Sequence, residues 1–317
     1  MSSRKYNNVI VFGPTGGVGS QVALEANRRG AKVWLAMRDP TKTIQDIPAD
    51  VEKSGNFARI QADLTDPVSI AKAIKESGAK AAYIYLIHGA SDGMRGALQA
   101  LRDAGVESVV FLSSFSITPA HELRKIPQSA FIPWLHAQVE IAAEEVGIPY
   151  FTALRPAAFA SNHFKNFLDR SAKPPRATHI RDDAWVDNIT PEDMGAVGAA
   201  VLVERPSNGT EIIYLAGPEL ITKAQSWEII KKITGRHDIN ANPITKEEFL
   251  KQAQAHHLPT KVAEYLVTVD DESTERSYLF SEALHRESVA NIKKYSGKEP
   301  LGFAEYIEAH KAEWQAL

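Results

Sequence analysis

A glycine-rich turn near the start of the chain has the spacing of a dinucleotide-binding site. Gly13, Gly16 and Gly19 follow the apolar run Val9–Phe12 and precede a segment with helical spacing. In such a turn the first glycine permits the tight bend, the second lets the backbone approach a pyrophosphate, and the third lets the helix pack closely on the strand. The helix start adds amide donors and a favourable dipole. The same spacing also occurs in purely structural turns. The residues expected to bind the pyrophosphate are Gly13, Thr15, Gly16, Gly17, Val18 and Gly19.

The residues after the second apolar run indicate which nicotinamide cofactor would fit. An acidic residue there would bind the ribose 2′-hydroxyl and repel a 2′-phosphate. This chain instead has Arg38, then Asp39, and a further cation at Lys42. Arg38 can stack on adenine and pair with the phosphate, and Lys42 adds a second positive charge. The pattern favours NADPH; the alternative is a solvated surface on which Asp39 is the local partner of the cations.

Asp63 and Leu64 close the third apolar run, where they would border the adenine. The Asp63 carboxylate can accept a hydrogen bond from the adenine amino group. Alternatively, Asp63 or Asp66 caps the helix that begins near Pro67.

Polar residues also end the fourth and fifth apolar runs. His88 would lie near the nicotinamide ribose, or would bind a backbone carbonyl. Ser113 and Ser114 face the expected nicotinamide, where they can bind its carboxamide or a substrate carbonyl, or cap the strand end.

Short apolar runs alternate with helical segments through the first half of the chain. Strands buried on both faces and separated by helices imply a parallel, doubly wound sheet, which binds ligands at the carboxyl ends of its strands. We therefore predict a Rossmann-type α/β fold with a smaller, helix-rich C-terminal part for the substrate. Residues 1–156 are expected to form the cofactor-binding domain, and residues 157–317 mostly the substrate-binding part. Ile212–Leu215 is a candidate to return to the sheet. The predicted strands are Val9–Phe12, Lys32–Met37, Arg59–Ala62, Ala81–Ile87, Ser108–Leu112 and Tyr150–Leu154. The clearest predicted helices are Ser20–Arg29, Val68–Glu76, Gly93–Ala104, Gln138–Val146, Pro191–Val203 with Thr190 as its N-cap, Thr222–Thr234, Thr245–His256 and Leu301–Trp314.

The composition narrows the class of protein and its partners. The formal charge of −3 lacks the basic field of a nucleic-acid binder. The absence of cysteine excludes disulfides and thiol catalysis, and the adjacent His256 and His257 would point in different directions on a helix, so we expect no metal site. We find neither a signal peptide nor the roughly 18–20 apolar residues that cross a bilayer. We expect a soluble, cytoplasmic monomer or homodimer that binds a small-molecule substrate, with no nucleic-acid or membrane partner.

Several segments together resemble the NmrA-like group of atypical short-chain dehydrogenases/reductases. The resemblance covers residues 9 to about 162, with one further segment at Pro191–Gly195. The group includes NADPH-dependent reductases of quinones, dyes and plant phenolics. It also includes proteins that bind the cofactor but regulate transcription. The resemblance therefore implies the fold and the cofactor more firmly than the reaction. The segments that carry it are the turn Gly13–Gly19, Arg38 with Lys42, Asp63-Leu64, Phe111–Ser114, His136–Glu140, Leu154–Phe159 and Asn162.

The chain departs from ordinary short-chain dehydrogenases in its proton donor. The Tyr-x-x-x-Lys pair of those enzymes is missing, and the corresponding helix carries His136 and Glu140. Residues four apart share a helix face, so Glu140 can orient His136 or hold its proton. A histidine with an ordinary pKa of about 6.5 can act as a general acid. We therefore predict that His136, Glu140 and Ser113 are catalytic and that His136 touches the cofactor; a surface ion pair is the alternative.

The resemblance also implies a wall behind the nicotinamide, formed by Pro156, Ala157 and Phe159. Core packing is the alternative for Phe159.

Three functional hypotheses follow. The first is an NADPH-dependent reductase of a small apolar carbonyl, imine, quinone or enone. The second, motivated by the missing Tyr-x-x-x-Lys pair, is a regulator that senses NADP(H) without turnover. The third is a biosynthetic enzyme of secondary metabolism whose reduction sets up a cyclisation.

Overall fold

Seven parallel strands form the central sheet of the protein. The structure is a computed structural model and describes residues 4–255, 258–272 and 281–317. In chain order its strands are β1 (Asn8–Phe12), β2 (Lys32–Met37), β3 (Phe57–Gln61), β4 (Ala81–Tyr85), β5 (Ser108–Leu112), β6 (Tyr150–Pro156) and β7 (Thr210–Leu215). Across the sheet the order is β7-β6-β5-β4-β1-β2-β3, so the direction of winding reverses between β1 and β4. Ligands of doubly wound sheets bind at this reversal, at the carboxyl ends of the strands.

Helices cover both faces of the sheet because nearly every strand side chain is apolar and buried. In chain order the helices are α1 (Gly17–Arg28), α2 (Ala49–Ser54), α3 (Pro67–Ser77), α4 (Arg95–Asp103), α5 (Phe131–Val146), α6 (Asn162–Lys165), α7 (Pro191–Val203), α8 (Lys223–Thr234), α9 (Lys246–Ala255), α10 (Thr260–Glu272), α11 (Glu282–Ser296), α12 (Phe303–Ala309) and α13 (Lys311–Gln315). One face of the sheet packs against α1, α7 and α11, and the other against α3, α4 and α5.

The second half of the chain completes the Rossmann layers. The predicted return of Ile212–Leu215 is confirmed, because β7 pairs in parallel with β6. Helix α7 lies against α1 so closely that a Cβ on Gly195 would overlap the backbone and side chain of Gln21. Thr190 caps α7 as predicted, with its hydroxyl accepting the Asp193 N–H at 3.1 Å.

Helices α6, α8, α12 and α13 form a smaller layer with its own apolar centre. Trp227, Phe303 and Trp314 are almost completely buried there. This layer follows β6 and reaches the carboxyl edge of the sheet through the bridge between Phe159 and Ile189. Among the residues that the structure describes, no helix has the length and apolarity to span a membrane.

Most predicted bounds shift by one to three residues, whereas two predicted helices differ by more. Helix α5 begins at Phe131 rather than Gln138, because Pro133 lies in its first turn, where a proline removes no helical hydrogen bond. The predicted helix Leu301–Trp314 is two helices that meet at His310. A short antiparallel pair that was not predicted joins Leu168–Asp169 to Arg176–Ala177. His256 and His257 lie outside the described residues.

Candidate functional site

The glycine-rich turn connects β1 to α1 at the reversal of the sheet. Gly13 has φ +69°, which disfavours any side chain, and the Tyr85 ring occupies the space that its Cβ would need. The Gly16 N–H donates to the Gly13 carbonyl at 3.1 Å and closes the turn. A Cβ on Gly19 would overlap that same carbonyl oxygen. The turn can therefore form only with glycine at positions 13 and 19.

Gly16 differs from the other two glycines, and the difference gives a test. Its backbone is extended (φ −91°), and a Cβ would meet only the Gly13 oxygen, at 3.5 Å. We expect Gly16→Ala to change the free energy of unfolding by less than about 1 kcal/mol. We also expect it to weaken NADPH binding about tenfold or more, because the methyl group would enter the pyrophosphate groove. Calorimetry and chemical denaturation measure the two effects separately.

Gly19→Ala is the matched variant, and we expect it to lower both stability and binding because its clash is with backbone. Unaltered NADPH affinity in Gly16→Ala would contradict a pyrophosphate at this turn.

The cations predicted to select NADPH lie on a loop that Arg59 holds in place. The Arg59 guanidinium donates to the carbonyl oxygens of Pro40 and Lys42, at 2.6 and 2.8 Å. Asp39 accepts hydrogen bonds from the Thr41 hydroxyl and N–H, which lower its carboxyl pKa. Asp39 is thus occupied by Thr41. Arg38 and Lys42 are exposed, and within the described chain neither forms an ion pair.

Asp63, Leu64 and Asp66, which follow β3, have different structural roles. The Asp63 carboxylate accepts the Thr65 N–H at 2.9 Å and the Thr65 hydroxyl at 2.8 Å, and the backbone bond lowers its pKa. The cap of α3 is Asp66, which accepts the Val68 N–H. Leu64 is buried in the core. Asp63 therefore stabilises the turn that borders the expected adenine position.

His136 lies at the other end of the crevice, on α5. Its Nδ1 is buried without a hydrogen-bond partner in the described structure, and its ring lies 5.8 Å from that of Phe111. Burial, together with the nearby His88 and Arg155, lowers the pKa of His136 to about 3. Burial also lowers the pKa of His88. The predicted acid is therefore a neutral imidazole at neutral pH, and the expectation of an ordinary pKa is wrong.

Glu140 does not pair with His136, so that predicted contact is also wrong. The Glu140 carboxylate accepts the Arg155 Nη2–H at 2.6 Å, the Arg155 Nε–H at 3.1 Å and the Ser113 hydroxyl at 2.6 Å. Arg155 in turn donates to the Tyr214 hydroxyl at 2.6 Å. Glu140 binds Arg155 because a buried carboxylate is stabilised far more by a buried guanidinium than by a neutral ring.

This network limits what Ser113 can do. Ser113 is 3% exposed and its hydroxyl proton is committed to Glu140. Ser113 can therefore accept a hydrogen bond but has no proton free to donate. Ser114 is more exposed, and its hydroxyl lies 2.8 Å from that of Ser116.

The predicted wall residues follow β6 directly. The Pro156 carbonyl accepts the Phe115 N–H, and the Ala157 N–H donates to the Leu215 carbonyl. These bonds join the wall to the strand ends on both sides. Phe159 is half-buried against the main core, as the packing alternative requires.

Two residues of the crevice were missed at the sequence level. Tyr85 covers Gly13 and lies close enough to Arg38 for that charge to oppose the pKa rise that burial causes in Tyr85. Lys165, from α6, places its ammonium 3.2 Å from where a Cβ of Gly17 would lie. Tyr85 lies inside the predicted strand Ala81–Ile87, but its contact with Gly13 follows only from the strand order. No local signal marks Lys165, whose helix has four residues.

The sheet order and the turn at its reversal define the class: a Rossmann-type α/β protein. The model of the NmrA-like family matches residues 5–307, and the chain belongs to that family. The predicted resemblance is thereby confirmed, and it extends well beyond residue 162.

Two relatives and one solved structure are similar to this chain. The chain is 38% identical to the nitrogen metabolite regulation-like protein bik4 of Gibberella fujikuroi, over 97% of this chain and 98% of the relative. It is 23% identical to festuclavine dehydrogenase easG of Aspergillus fumigatus, over 81% and 80% of the two chains. The structure of the Escherichia coli NADPH-dependent quinone oxidoreductase QOR2 complexed with NADPH has a TM-score of 0.69, with 18% identity over 95% of this chain and 99% of that chain.

Proposed function

We propose that the protein binds NADPH at the glycine-rich turn and reduces a small, largely apolar organic molecule. The observation that carries the proposal is the turn itself, whose glycines leave a groove at the start of α1, with the unpaired cation Arg38 at one end. The candidate acceptors are a carbonyl, imine, quinone or enone. NADPH supplies a hydride when it is bound.

The residues that would hold the cofactor lie along one crevice. Amide groups at the start of α1 and the ammonium of Lys165 face the pyrophosphate position. Arg38 and Lys42 would bind the 2′-phosphate, and the Tyr85 ring would stack on the adenine. Ser114, His88 and His136 border the nicotinamide position, in front of the wall Pro156–Phe159. The orphaned Nδ1 of His136 is a buried polar atom that a ligand would satisfy.

Proton transfer would follow from the protonation states of these side chains. His136 is neutral, so it acts as a hydrogen-bonding imidazole rather than as an imidazolium acid. Ser113 holds its proton against Glu140. Ser114 and His136 therefore remain as groups that can position an acceptor, and the final proton would come from water.

The decisive experiment has two stages. Calorimetry with NADPH and NADH tests cofactor binding, and we expect NADPH to bind more tightly. Steady-state NADPH oxidation is then measured across quinones, enones and imines. Absence of heat with NADPH would contradict the cofactor proposal, whereas binding without turnover of any substrate class would contradict the reductase.

The pH dependence tests the state of His136. Because burial lowers its pKa to about 3, the imidazole stays neutral from pH 5 to 8. We expect kcat/KM to show no ionisation of His136 in that range, and His136→Asn to lower activity without changing the shape of the profile. A fall in wild-type activity above pH 6.5 that disappears in His136→Asn would contradict this assignment.

A second candidate is a regulator that senses NADP(H) without turnover. The name of the relative bik4, at 38% identity, supports it, as does the absence of a Tyr-x-x-x-Lys pair. A change in oligomeric state or partner binding on addition of NADPH, without oxidation, would favour the regulator. The name of the relative festuclavine dehydrogenase supports instead a substrate from secondary metabolism, which includes the hypothesis of a coupled cyclisation.

A further inference from the structure

A basic cleft lies at the edge of the sheet opposite to the glycine-rich turn. It has a volume of about 380 Å³ and is bordered by the segment before β1, the ends of α1, α7 and α11, and the segment before β7. Four cations line it: Lys5, Arg29, Arg205 and Lys294. Glu204 is the one acidic residue among the lining residues. The cleft therefore has a net positive charge and is separate from the cofactor crevice.

Arg205 is the central observation because its charge is buried without a carboxylate. It is 9% exposed, and within the described residues its guanidinium has no acidic partner. The guanidinium stacks 3.4 Å from the centre of the Tyr150 ring, and its Nη1 donates to the Pro206 carbonyl. Its Nε is buried and has no acceptor. A buried charge left in this state costs free energy that an anion would recover.

The acidic residues nearby are too few to balance the cations. Glu25 alone serves Arg28, Arg29 and Lys298, at distances of 3.6, 3.2 and 2.7 Å. The carboxylate of Glu211 is bound by the Tyr295 hydroxyl at 2.7 Å.

Helix ends explain only part of this excess. The Arg29 Nη2 donates to the Ser296 carbonyl at the end of α11, as a cation at a helix C-terminus commonly does. Arg205 lies two residues beyond the end of α7, and its guanidinium donates to the Pro206 carbonyl rather than to a carbonyl of that helix. The partial negative charge of a helix end is about half a unit, which is too little to balance a full guanidinium charge.

We propose that this cleft binds a small organic anion through a phosphate or carboxylate group. Arg205 would supply the buried donor, and Lys5 and Lys294 would approach from the exposed rim. Ala200, Val201 and Pro206 line the remainder of the cleft and would contact an apolar portion of the ligand. The volume admits a molecule of a few to about twenty heavy atoms.

The test is calorimetric titration with inorganic pyrophosphate and, separately, with citrate. Both are titrated into the Gly16→Ala variant as well as the wild type, so that pyrophosphate bound at the glycine-rich turn is recognised by its loss in that variant. We expect at least one of the two anions to bind to the wild type and to Gly16→Ala alike. The double variant Lys5→Gln/Lys294→Gln should weaken binding about tenfold or more, because it removes two rim charges without touching the core. The matched control Lys72→Gln/Lys75→Gln removes two exposed charges from α3 and should leave binding unchanged.

Arg205→Gln provides a second measurement, the stabilisation by pyrophosphate in chemical denaturation. The wild type should gain stability with the anion and Arg205→Gln should not. If Arg205→Gln fails to fold, the affinity of the rim variant, Lys5→Gln/Lys294→Gln, still tests the proposal. No heat with either anion, or equal affinity in the rim variant and its control, would overturn the proposal. A response to only one of the two probes supports the cleft and identifies phosphate or carboxylate as its ligand group.

Discussion

Replacing Glu140 with alanine is expected to lower the free energy of unfolding by about 3–5 kcal/mol. Glu140 is 6% exposed, and its carboxylate is the shared acceptor for Arg155 and Ser113. Its removal would leave the Arg155 guanidinium buried beside a neutral cavity. Burial opposes the charge of Arg155, but the Glu140 carboxylate outweighs it, so that the pKa of Arg155 is raised. Urea denaturation, with the slope checked for two-state behaviour, measures the loss.

The double variant Glu140→Leu/Arg155→Met is the control for this prediction. It removes both charges and retains most of the buried volume. We expect it to recover much of the lost stability, because an apolar pair often replaces a buried ion pair with little cost. A loss below about 1 kcal/mol in Glu140→Ala, or a double variant less stable than the single one, would show that the network does not stabilise the strand ends.

Arg38→Glu is expected to raise the Kd for NADPH by about 10- to 150-fold. Arg38 is exposed at the end of β2, and Asp39 beside it is already occupied by Thr41. The substitution removes the cation that would pair with the 2′-phosphate and puts a repelling carboxylate in its place. A carboxylate at this position can instead bind the ribose 2′-hydroxyl. The affinity for NADH should therefore be maintained or increase, which reverses the preference between the two cofactors.

Lys232→Glu is the matched charge reversal, on an exposed position of α8 far along the chain from the turn. It should leave both affinities unchanged, which excludes an effect of net charge alone. If Arg38→Glu weakens the binding of NADPH and NADH equally, Arg38 contacts a part of the molecule that both cofactors share. Unchanged NADPH affinity would place the 2′-phosphate elsewhere.

The contacts of α5 show where reasoning from helix spacing was insufficient. His136 and Glu140 do lie on the same helix, four residues apart, as the pattern predicts. Their interaction is nevertheless absent, because Arg155 on β6 comes within 2.6 Å of the Glu140 carboxylate. The two residues that form this ion pair are 15 positions apart in the chain. No local pattern distinguishes these two possible partners of Glu140.

Features that depend on neighbouring residues could be predicted from the sequence. Lys32–Met37 and Ser108–Leu112 were predicted with their observed bounds. The positive φ of Gly13 and the cap of α7 by Thr190 involve neighbours within a few residues, so residue type alone indicates them. Apolar runs of a few residues likewise predict buried parallel strands wherever they fall in the fold.

Contacts between residues far apart in the chain could be identified only from the tertiary structure. The Tyr85 ring against Gly13, Lys165 beside Gly17, and Arg205 over Tyr150 each join segments whose proximity depends on strand order and helix packing. The charge state of His136 depends on how completely its surroundings exclude water, and the partner of Glu140 on which charge is buried beside it. The charge state of His136 and the partner of Glu140 both depend on how the interior is packed. The order of residue types along the chain does not specify that packing.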